Sequence, residues 1–348
     1  MRTSQTLTRD LLIMVTGILV VVLSHIPSML SFPAIAETLQ TIGIGMAGYA
    51  PVQFIINFRN FRRLRNTKKS IRRLFESAVT IYEQKETLPA FIAADVEGCI
   101  TPSNRAEIDL IKLQRLRSYC EFTKSHREYP PLVIYTGRSQ GYVELLAQSL
   151  GMLDSPLDLP FVIENGCALY RPGSKQTIPL INSEQLKAVR KVQLIINAAM
   201  PNNLFEPKTY MVTINPTQTQ SVDELRESIT VLLKDNDLLG SLAVTNTASA
   251  VDITPKGISK LSGLKENLKY YPDDRMQQNL DAIVGVGDHI SDLPVLKNIG
   301  RAYCPAENVH IEVRNFVESK FGKDHVIDSP DIEFVIRVIE LECGLRVA

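Results

Sequence analysis

The chain has 348 residues, of which 45% are apolar and 22% are charged, so it can build a sizeable core and is not globally disordered. Its length favours two domains. The net charge is zero, but residues 1–89 carry 11 Lys/Arg against 5 Asp/Glu, while the remainder carries 27 against 33. An acidic remainder argues against a nucleic-acid binder. The five cysteines form no CxxC pair, which argues against a zinc site or a disulfide framework and indicates a reducing compartment.

Two uncharged stretches open the chain, residues 11–36 and 38–58, and each is long enough to cross a bilayer, which takes about 20 residues. Residues 59–73 then hold eight Lys/Arg and no acid, a pattern typical of the cytoplasmic side of a membrane segment. We therefore predict a transmembrane hairpin over residues 1–60, a membrane-anchored catalytic part in the cytoplasm, and contact between the basic run and anionic lipid head groups. The alternatives are a cleaved signal peptide ending near residues 34–36, and two buried helices on a soluble cytoplasmic protein.

The next segment alternates between helices and short apolar strands. Apolar spacing over residues 61–88 predicts a basic amphipathic linker helix that reaches about Glu86. The elements that follow are a strand at 91–94, a helix at 107–125, a strand at 132–135, a helix at 140–150 and a strand at 161–163. This order predicts an α/β fold with a parallel sheet and crossover helices.

Residues 168–252 differ from this pattern and predict an inserted α+β module. Helices are expected near 183–199 and 221–233, and strands near 210–214 and 243–245. Afterwards residues 256–260 are expected to open a further helix, and the alternation resumes, with strands at 280–285 and 326–327 and a final helix at 331–342. The sequence contains no internal repeat.

Polar residues cluster where the predicted strands end. We place four such clusters at one edge of the sheet, because the carboxyl ends of parallel strands share an edge. They are Asp95 with Glu97, Thr136, Lys260, and Asp288 with Asp292. Adjacent carboxylates repel unless a cation lies between them or one keeps its proton, and Mg²⁺ is the simplest cation for such a site. For Asp95 and Glu97 taken alone, an acidic turn after a strand is an equal alternative.

In this order the motifs resemble those of the haloacid dehalogenase (HAD) superfamily of phosphatases. DVEG at 95–98 is similar to the first HAD motif, TGR at 136–138 to the second, Lys260 to the third, and GDHISD at 287–292 to the fourth. ENG at 164–166 and the long insertion resemble the capped type IIB (Cof-like) subgroup. The resemblance covers about residues 90–340. It implies a Rossmann-like (HAD) core over 89–167 and 253–348 and a cap over 168–252.

The resemblance also implies roles for individual residues. Asp95 is expected to be the nucleophile and Glu97 the general acid/base. Mg²⁺ is expected on Asp95, the carbonyl of Glu97 and Asp288, with Asp292 either as a further ligand or as a residue that supports the ligands. The phosphate is expected on Thr136, Gly137 and Lys260, with Lys256 as a second candidate lysine, and Asn165 is expected at the substrate or the cap junction.

The predicted function is therefore a Mg²⁺-dependent phosphatase that acts on a small phosphorylated metabolite, such as a sugar phosphate, through an aspartyl-phosphate. Two positions depart from the HAD pattern: Glu97 stands where the family usually has Asp, and Ser291 stands where it commonly has Asn. A catalytically impaired binding module on a membrane anchor and a phosphotransferase are the alternatives. Arg138 is interpreted as a surface charge or an ion-pair partner, and His289 as a loop residue.

Overall fold

The structure is a computed structural model that describes residues 69–70, 73–102, 107–247, 249–271 and 279–348. The hairpin predicted over residues 1–60 lies outside these ranges. Within them, no helix is both long enough and apolar enough to cross a bilayer. The chain divides into two units, residues 1–74 and 75–348, and the architecture below belongs to the second.

Short strands and α-helices make up most of the second unit. The strands, in chain order, are β1 (Val79–Ile81), β2 (Phe91–Ala94), β3 (Leu132–Ile134), β4 (Phe161–Ile163), β5 (Ala168–Arg171), β6 (Gln176–Pro179), β7 (Leu204–Phe205), β8 (Val212–Asn215), β9 (Leu242–Asn246), β10 (Val251–Pro255), β11 (Ile283–Val286), β12 (Arg301–Pro305), β13 (Val326–Ile327) and β14 (Leu345–Val347). The α-helices are α1 (Leu110–Ser125), α2 (Gln140–Ser149), α3 (Ser183–Ala199), α4 (Val222–Asp235), α5 (Lys260–Leu268), α6 (Leu293–Leu296), α7 (Ile311–Phe321) and α8 (Asp331–Cys343).

A five-stranded parallel sheet forms the centre, in the order β13-β12-β11-β2-β3, and confirms the predicted α/β class. Strands β2, β3 and β11 are buried along their whole length, which explains why they are short apolar runs without alternation. The strand β4 was expected in the same sheet. It pairs instead with β5, in an antiparallel sheet that continues to β6, and its Val162 forms a parallel bridge with Tyr135, the residue after β3.

The register of the parallel sheet determines which residues meet at its carboxyl edge. Ala94, the last residue of β2, lies opposite Val286 of β11 and Ile134 of β3. The residues that follow these three strands therefore emerge at one level. Asp95 and Thr136 are among them, as predicted from the strand ends.

A second sheet is antiparallel, in the order β7-β8-β10-β9, and packs with α3 and α4 around a separate hydrophobic core that includes Val192, Ile214 and Ile229. Capping boxes at Asn182 and Ser221 begin the two helices, which is why their starts could be predicted from local sequence. This cap-like layer begins after β6. The predicted insertion begins at residue 168, but β5 packs with the main core.

The linker helix is shorter than predicted. The helical residues end at Glu76, and Val79–Ile81 form β1, so the helix does not reach Glu86. Strand β1 pairs antiparallel with β14, which ties the start of the second unit to the last residues of the chain.

Candidate active site

Two aspartates come directly from the carboxyl edge of the parallel sheet. Asp95 is the first residue after β2, and its N–H donates to the carbonyl of Val286 at 3.0 Å. Asp288 is the second residue after β11. Both side chains are buried, with exposures of 4% and 6%. The two acids that the sequence placed on different strands therefore belong to one buried cluster.

Lys260 joins this cluster from a different direction than predicted. It is the first residue of helix α5, which Ser259 caps, and the strand before it, β10, belongs to the antiparallel sheet. The expectation that Lys260 lies at the end of a parallel strand is therefore wrong. Its Nζ nevertheless lies 3.0 Å from Asp95 Oδ2 and 2.7 Å from Asp292 Oδ1.

Asp292 holds the other members of the cluster in place. Its Oδ1 accepts from Lys260, and its Oδ2 accepts from the N–H groups of Asp288 at 3.1 Å and His289 at 2.9 Å. The side chain is fully buried. Because both oxygens already accept hydrogen bonds, Asp292 suits an orienting role better than a direct place on a metal ion.

The cluster concentrates negative charge in a buried space. Burial, followed by repulsion from Asp292, raises the pKa of Asp95 to about 7. Burial and repulsion from Asp292 and Asp95 raise the pKa of Asp288 to about 9. Burial alone would lower the pKa of Lys260, but attraction to Asp292 and Asp95 outweighs it and raises that pKa. One ammonium group thus faces three carboxylates, and a further cation would relieve their repulsion.

The donor set fits a hard divalent cation. Among the described residues, Asp95, Asp288 and Asp292 each offer an oxygen, and these oxygens lie within 4.8 Å of one another. Asp95 Oδ1 is buried and has no hydrogen-bond partner in the described part of the chain. Mg²⁺ takes carboxylate oxygens of this kind. Asp95 and Asp288 are therefore the residues that could hold such a cation directly.

Glu97 does not join the acid cluster through its side chain. Its carboxylate forms an ion pair with the Nη2 of Arg138, and the side chain is 45% exposed. Glu97 still lines the cavity next to Asp95. Arg138, which the sequence left as a surface charge or an ion-pair partner, is therefore the direct partner of the predicted acid/base.

The residues predicted to bind phosphate divide into two groups. Gly137 and Asn165 line the cavity together with Lys260. Thr136 is buried beside it, and its Oγ1 accepts from the N–H of Arg138 at 3.2 Å, so this hydroxyl group supports the turn. Lys256, the second candidate lysine, is exposed and is not part of the cavity lining.

The cavity has a volume of about 100 Å³ and lies where the parallel sheet meets the second sheet. The second sheet and its loops contribute Glu206, Lys208, Thr213 and Asp252 to the lining. Lys208 donates from Nζ to the carbonyl of Gly137 at 2.7 Å. Sequence reasoning missed these residues. The one available signal was the pair of opposite charges on either side of Pro207.

A strained turn joins β4 to β5 and contacts the second sheet. Glu164 and Asn165 both have positive φ angles, of 48° and 55°, which side-chain-bearing residues rarely adopt. The buried carboxylate of Glu164 accepts from the N–H groups of Thr209 and Tyr210. Asn165 donates from Nδ2 to Asp252 Oδ2 at 2.9 Å. Asn165 therefore contacts the second sheet directly, through Asp252 of β10, which is where its predicted role at the cap junction places it.

His289 and the two nearby cysteines have structural surroundings. His289 Nδ1 accepts from the N–H of Ser291 at 3.3 Å, and burial lowers the pKa of this histidine. Burial raises the pKa of the Cys99 thiol well above its usual value, and that of the Cys167 thiol as well. Neither thiol is therefore a good nucleophile.

No family model matches the chain, and no curated protein matches it. Solved structures do match. A haloacid dehalogenase-like hydrolase from Bacteroides thetaiotaomicron has 16% identity and a TM-score of 0.53, with 73% of this chain and 99% of that chain covered. The sucrose-phosphatase of Synechocystis, solved with sucrose and phosphate, has 14% identity and a TM-score of 0.52, with 73% and 98% covered. A Thermoplasma acidophilum protein has 16% identity and a TM-score of 0.51, with 73% and 100% covered. At these identities the likeness establishes the HAD-like fold alone.

Proposed function

We propose that the protein is a Mg²⁺-dependent phosphatase that hydrolyses small phosphomonoesters through an aspartyl-phosphate on Asp95. The observation that carries this proposal is the state of the Asp95 carboxylate. Its Oδ2 is held by Lys260 at 3.0 Å, while Oδ1 has no hydrogen-bond partner among the described residues. A buried carboxylate held at one oxygen and free at the other is oriented for attack.

In the first step, an Asp95 oxygen attacks phosphorus and the bond from phosphorus to the ester oxygen breaks. Glu97, in its acid form, gives its proton to that oxygen, so the product leaves as an alcohol. In the second step, Glu97 takes a proton from water as the water oxygen attacks phosphorus. The bond from phosphorus to Asp95 then breaks, which releases inorganic phosphate and restores both carboxyl groups.

Lys260 and the turn at Gly137 are the proposed contacts for the phosphoryl oxygens. The ammonium of Lys260 is buried, and Asp292 holds it in place, so it can stabilise charge without first reorganising. Asp95 and Asp288 would hold Mg²⁺, with the Glu97 carbonyl as a further proposed ligand. When bound, Mg²⁺ supplies positive charge beside the phosphoryl oxygens.

A small phosphorylated metabolite is the proposed substrate class, with sugar phosphates first. The cavity of about 100 Å³ suits a phosphoryl group, and the polar cap residues Glu206, Lys208 and Asp252 suit a hydroxylated leaving group. The sucrose-phosphatase among the structural neighbours is consistent with this choice. We retain as proposals the membrane hairpin over residues 1–60 and the cytoplasmic placement of the catalytic part.

The test is a phosphatase assay on the purified full-length chain with 4-nitrophenyl phosphate and Mg²⁺, followed by a screen of phosphorylated metabolites. Asp95→Asn is expected to abolish phosphate release, whereas Asp281→Asn, at an exposed residue, is the matched control. A well-folded but inert wild type would support a binding module instead. Transfer of phosphate to an added alcohol in place of water would identify a phosphotransferase.

A further inference from the structure

Arg138 lies between two carboxylates from different parts of the fold. Its Nη2 pairs with Oε1 of Glu97, on the turn after β2, and its Nη1 lies 3.6 Å from Oε2 of Glu206, in the loop after β7. One guanidinium group therefore connects the turn that carries the nucleophile to the second sheet. Its planar fork can serve both carboxylates at once, which an ammonium group cannot do in the same geometry.

Contacts hold both the backbone and the side chain of Arg138. Its backbone N–H donates to Thr136 Oγ1 at 3.2 Å, and its backbone carbonyl accepts from the N–H of Glu164 at 3.1 Å. The guanidinium carbon lies 5.1 Å from the centre of the Tyr142 ring. With the side chain only 21% exposed, Arg138 has little freedom to move.

Glu97, in contrast, has few restraints of its own. Its side chain is 45% exposed, and a glutamate has three rotatable bonds. Without a partner, its carboxylate would spread over many rotamers, only some of which face the cavity. A proton donor that is displaced by about 1 Å can lose about 10²-fold in rate.

We propose that Arg138 is a positioning residue that places the carboxyl group of Glu97 for proton transfer to the leaving oxygen, with Glu206 fixing the other side of the guanidinium. This inference rests on the proposed function. A positioning role and a purely structural role predict different kinetics. Loss of Arg138 should slow the first step, in which the ester bond breaks, for substrates whose leaving oxygen needs the proton. It should spare that step for substrates whose leaving group departs as a stable anion.

The experiment compares two esters on the full-length protein with Mg²⁺. For 2-glycerophosphate, an alkyl ester with a poor leaving group, Arg138→Met is expected to lower kcat/KM by about 10²-fold. For 4-nitrophenyl phosphate, which releases a stabilised anion, kcat/KM is expected to fall less than about threefold, because proton transfer contributes little there. The comparison uses kcat/KM because it reports the steps up to release of the alcohol, and not the hydrolysis step in which Glu97 acts for both esters. Arg138→Lys is expected to restore part of the loss on the alkyl ester.

Arg171→Met is the matched control. Arg171 also pairs with a carboxylate, Asp158, at 3.0 Å, and its guanidinium carbon lies 5.7 Å from the centre of the Tyr270 ring. It is not among the residues that line the cavity. This variant loses a similar ion pair and ring contact, so it is expected to change thermal stability as Arg138→Met does while leaving the ratio of the two kcat/KM values unchanged.

A double mutant tests whether the effect passes through Glu97. In a Glu97→Gln background, adding Arg138→Met is expected to cause no further loss on the alkyl ester, because the group that it positions is already gone. An equal loss on both esters, or an additive loss in the double mutant, would overturn the inference while leaving the phosphatase intact. A wild type that is inactive on both esters would overturn the proposed function first, and the inference with it.

Discussion

Gly98 offers the sharpest test of the acid cluster, because it lies against Asp288. Its φ is +74°, and a Cβ built on it would lie 2.2 Å from Asp288 Oδ2 and 2.5 Å from Cγ. An alanine at this position therefore carries two penalties. The left-handed backbone costs about 1–2 kcal/mol for a residue with a Cβ, and the carboxylate must move away.

The size of that movement follows from the contact distance. Ordinary contacts of a Cβ begin at 3.4 Å, so a carboxylate oxygen at 2.2 Å has to move by 1.2 Å. A displacement of about 1 Å in a catalytic group can cost about 10²-fold in rate. We expect Gly98→Ala to lower kcat/KM by about 10²-fold or more and to weaken Mg²⁺ activation.

The assay measures phosphate release against Mg²⁺ concentration, together with urea unfolding. Gly322→Ala is the matched control, since Gly322 has a φ of +99° but no atom within 4 Å of its built Cβ. Both variants should lose stability through backbone strain, and only Gly98→Ala should require more Mg²⁺. If the two variants show the same Mg²⁺ dependence, Asp288 is not a metal ligand, and the proposed Mg²⁺ site in the acid cluster is refuted.

Three further predictions concern charge and the turn between β4 and β5. In metal-free protein, the unfolding free energy should fall as pH rises from 3.8 through about 7 and about 9, because Asp95 and Asp288 bind protons more tightly when folded than when unfolded. Added Mg²⁺ should reverse this loss of stability in thermal melts. An unfolding free energy that does not change with pH in EDTA would contradict the prediction. Lys260→Met should abolish activity and, without Mg²⁺, lower the unfolding free energy by about 3–5 kcal/mol, because it leaves Asp95 and Asp292 without their buried cation; unchanged urea unfolding would refute this. Glu164→Ala should lower the unfolding free energy by about 1–3 kcal/mol, because it leaves the backbone N–H groups of Thr209 and Tyr210, in the loop between β7 and β8, without their acceptor. An unfolding free energy equal to that of the wild type would show that water replaces the carboxylate.

Local sequence patterns were sufficient to predict β2, β3 and β11 of the central sheet and two of its acids, but not β12. Strands such as β2 are continuous apolar runs that end in a carboxylate, and both features are visible without any tertiary contact. Helix α3 has the predicted bounds, because a capping box at Asn182 marks its start. The resemblance to HAD motifs led to the remaining predictions of residue roles, and the parallel pairing of β2 with β11 brings Asp95 and Asp288 to one edge.

Other elements could not be read locally, because distant segments create them. Strand β1 is three residues long, and it is a strand only because β14 lies beside it at the other end of the chain. Lys260 reaches Asp95 from the start of α5, as part of a helix that the sequence predicted, but the strand before it pairs in the antiparallel sheet, which the sequence did not show. A segment of a few residues has no local preference strong enough to reveal such partners, since packing against the rest of the fold decides them.

The sequence by itself thus determined the fold class, the acids at the sheet edge and the lysine that belongs with them, because strand patterns and residue chemistry are local properties. Only the tertiary structure decided that Glu97 pairs with Arg138 and that Glu206 and Lys208, in the loop between β7 and β8, line the cavity. The physical reason is that side-chain pairing depends on distances between segments far apart in the chain, which emerge only when both sheets are packed.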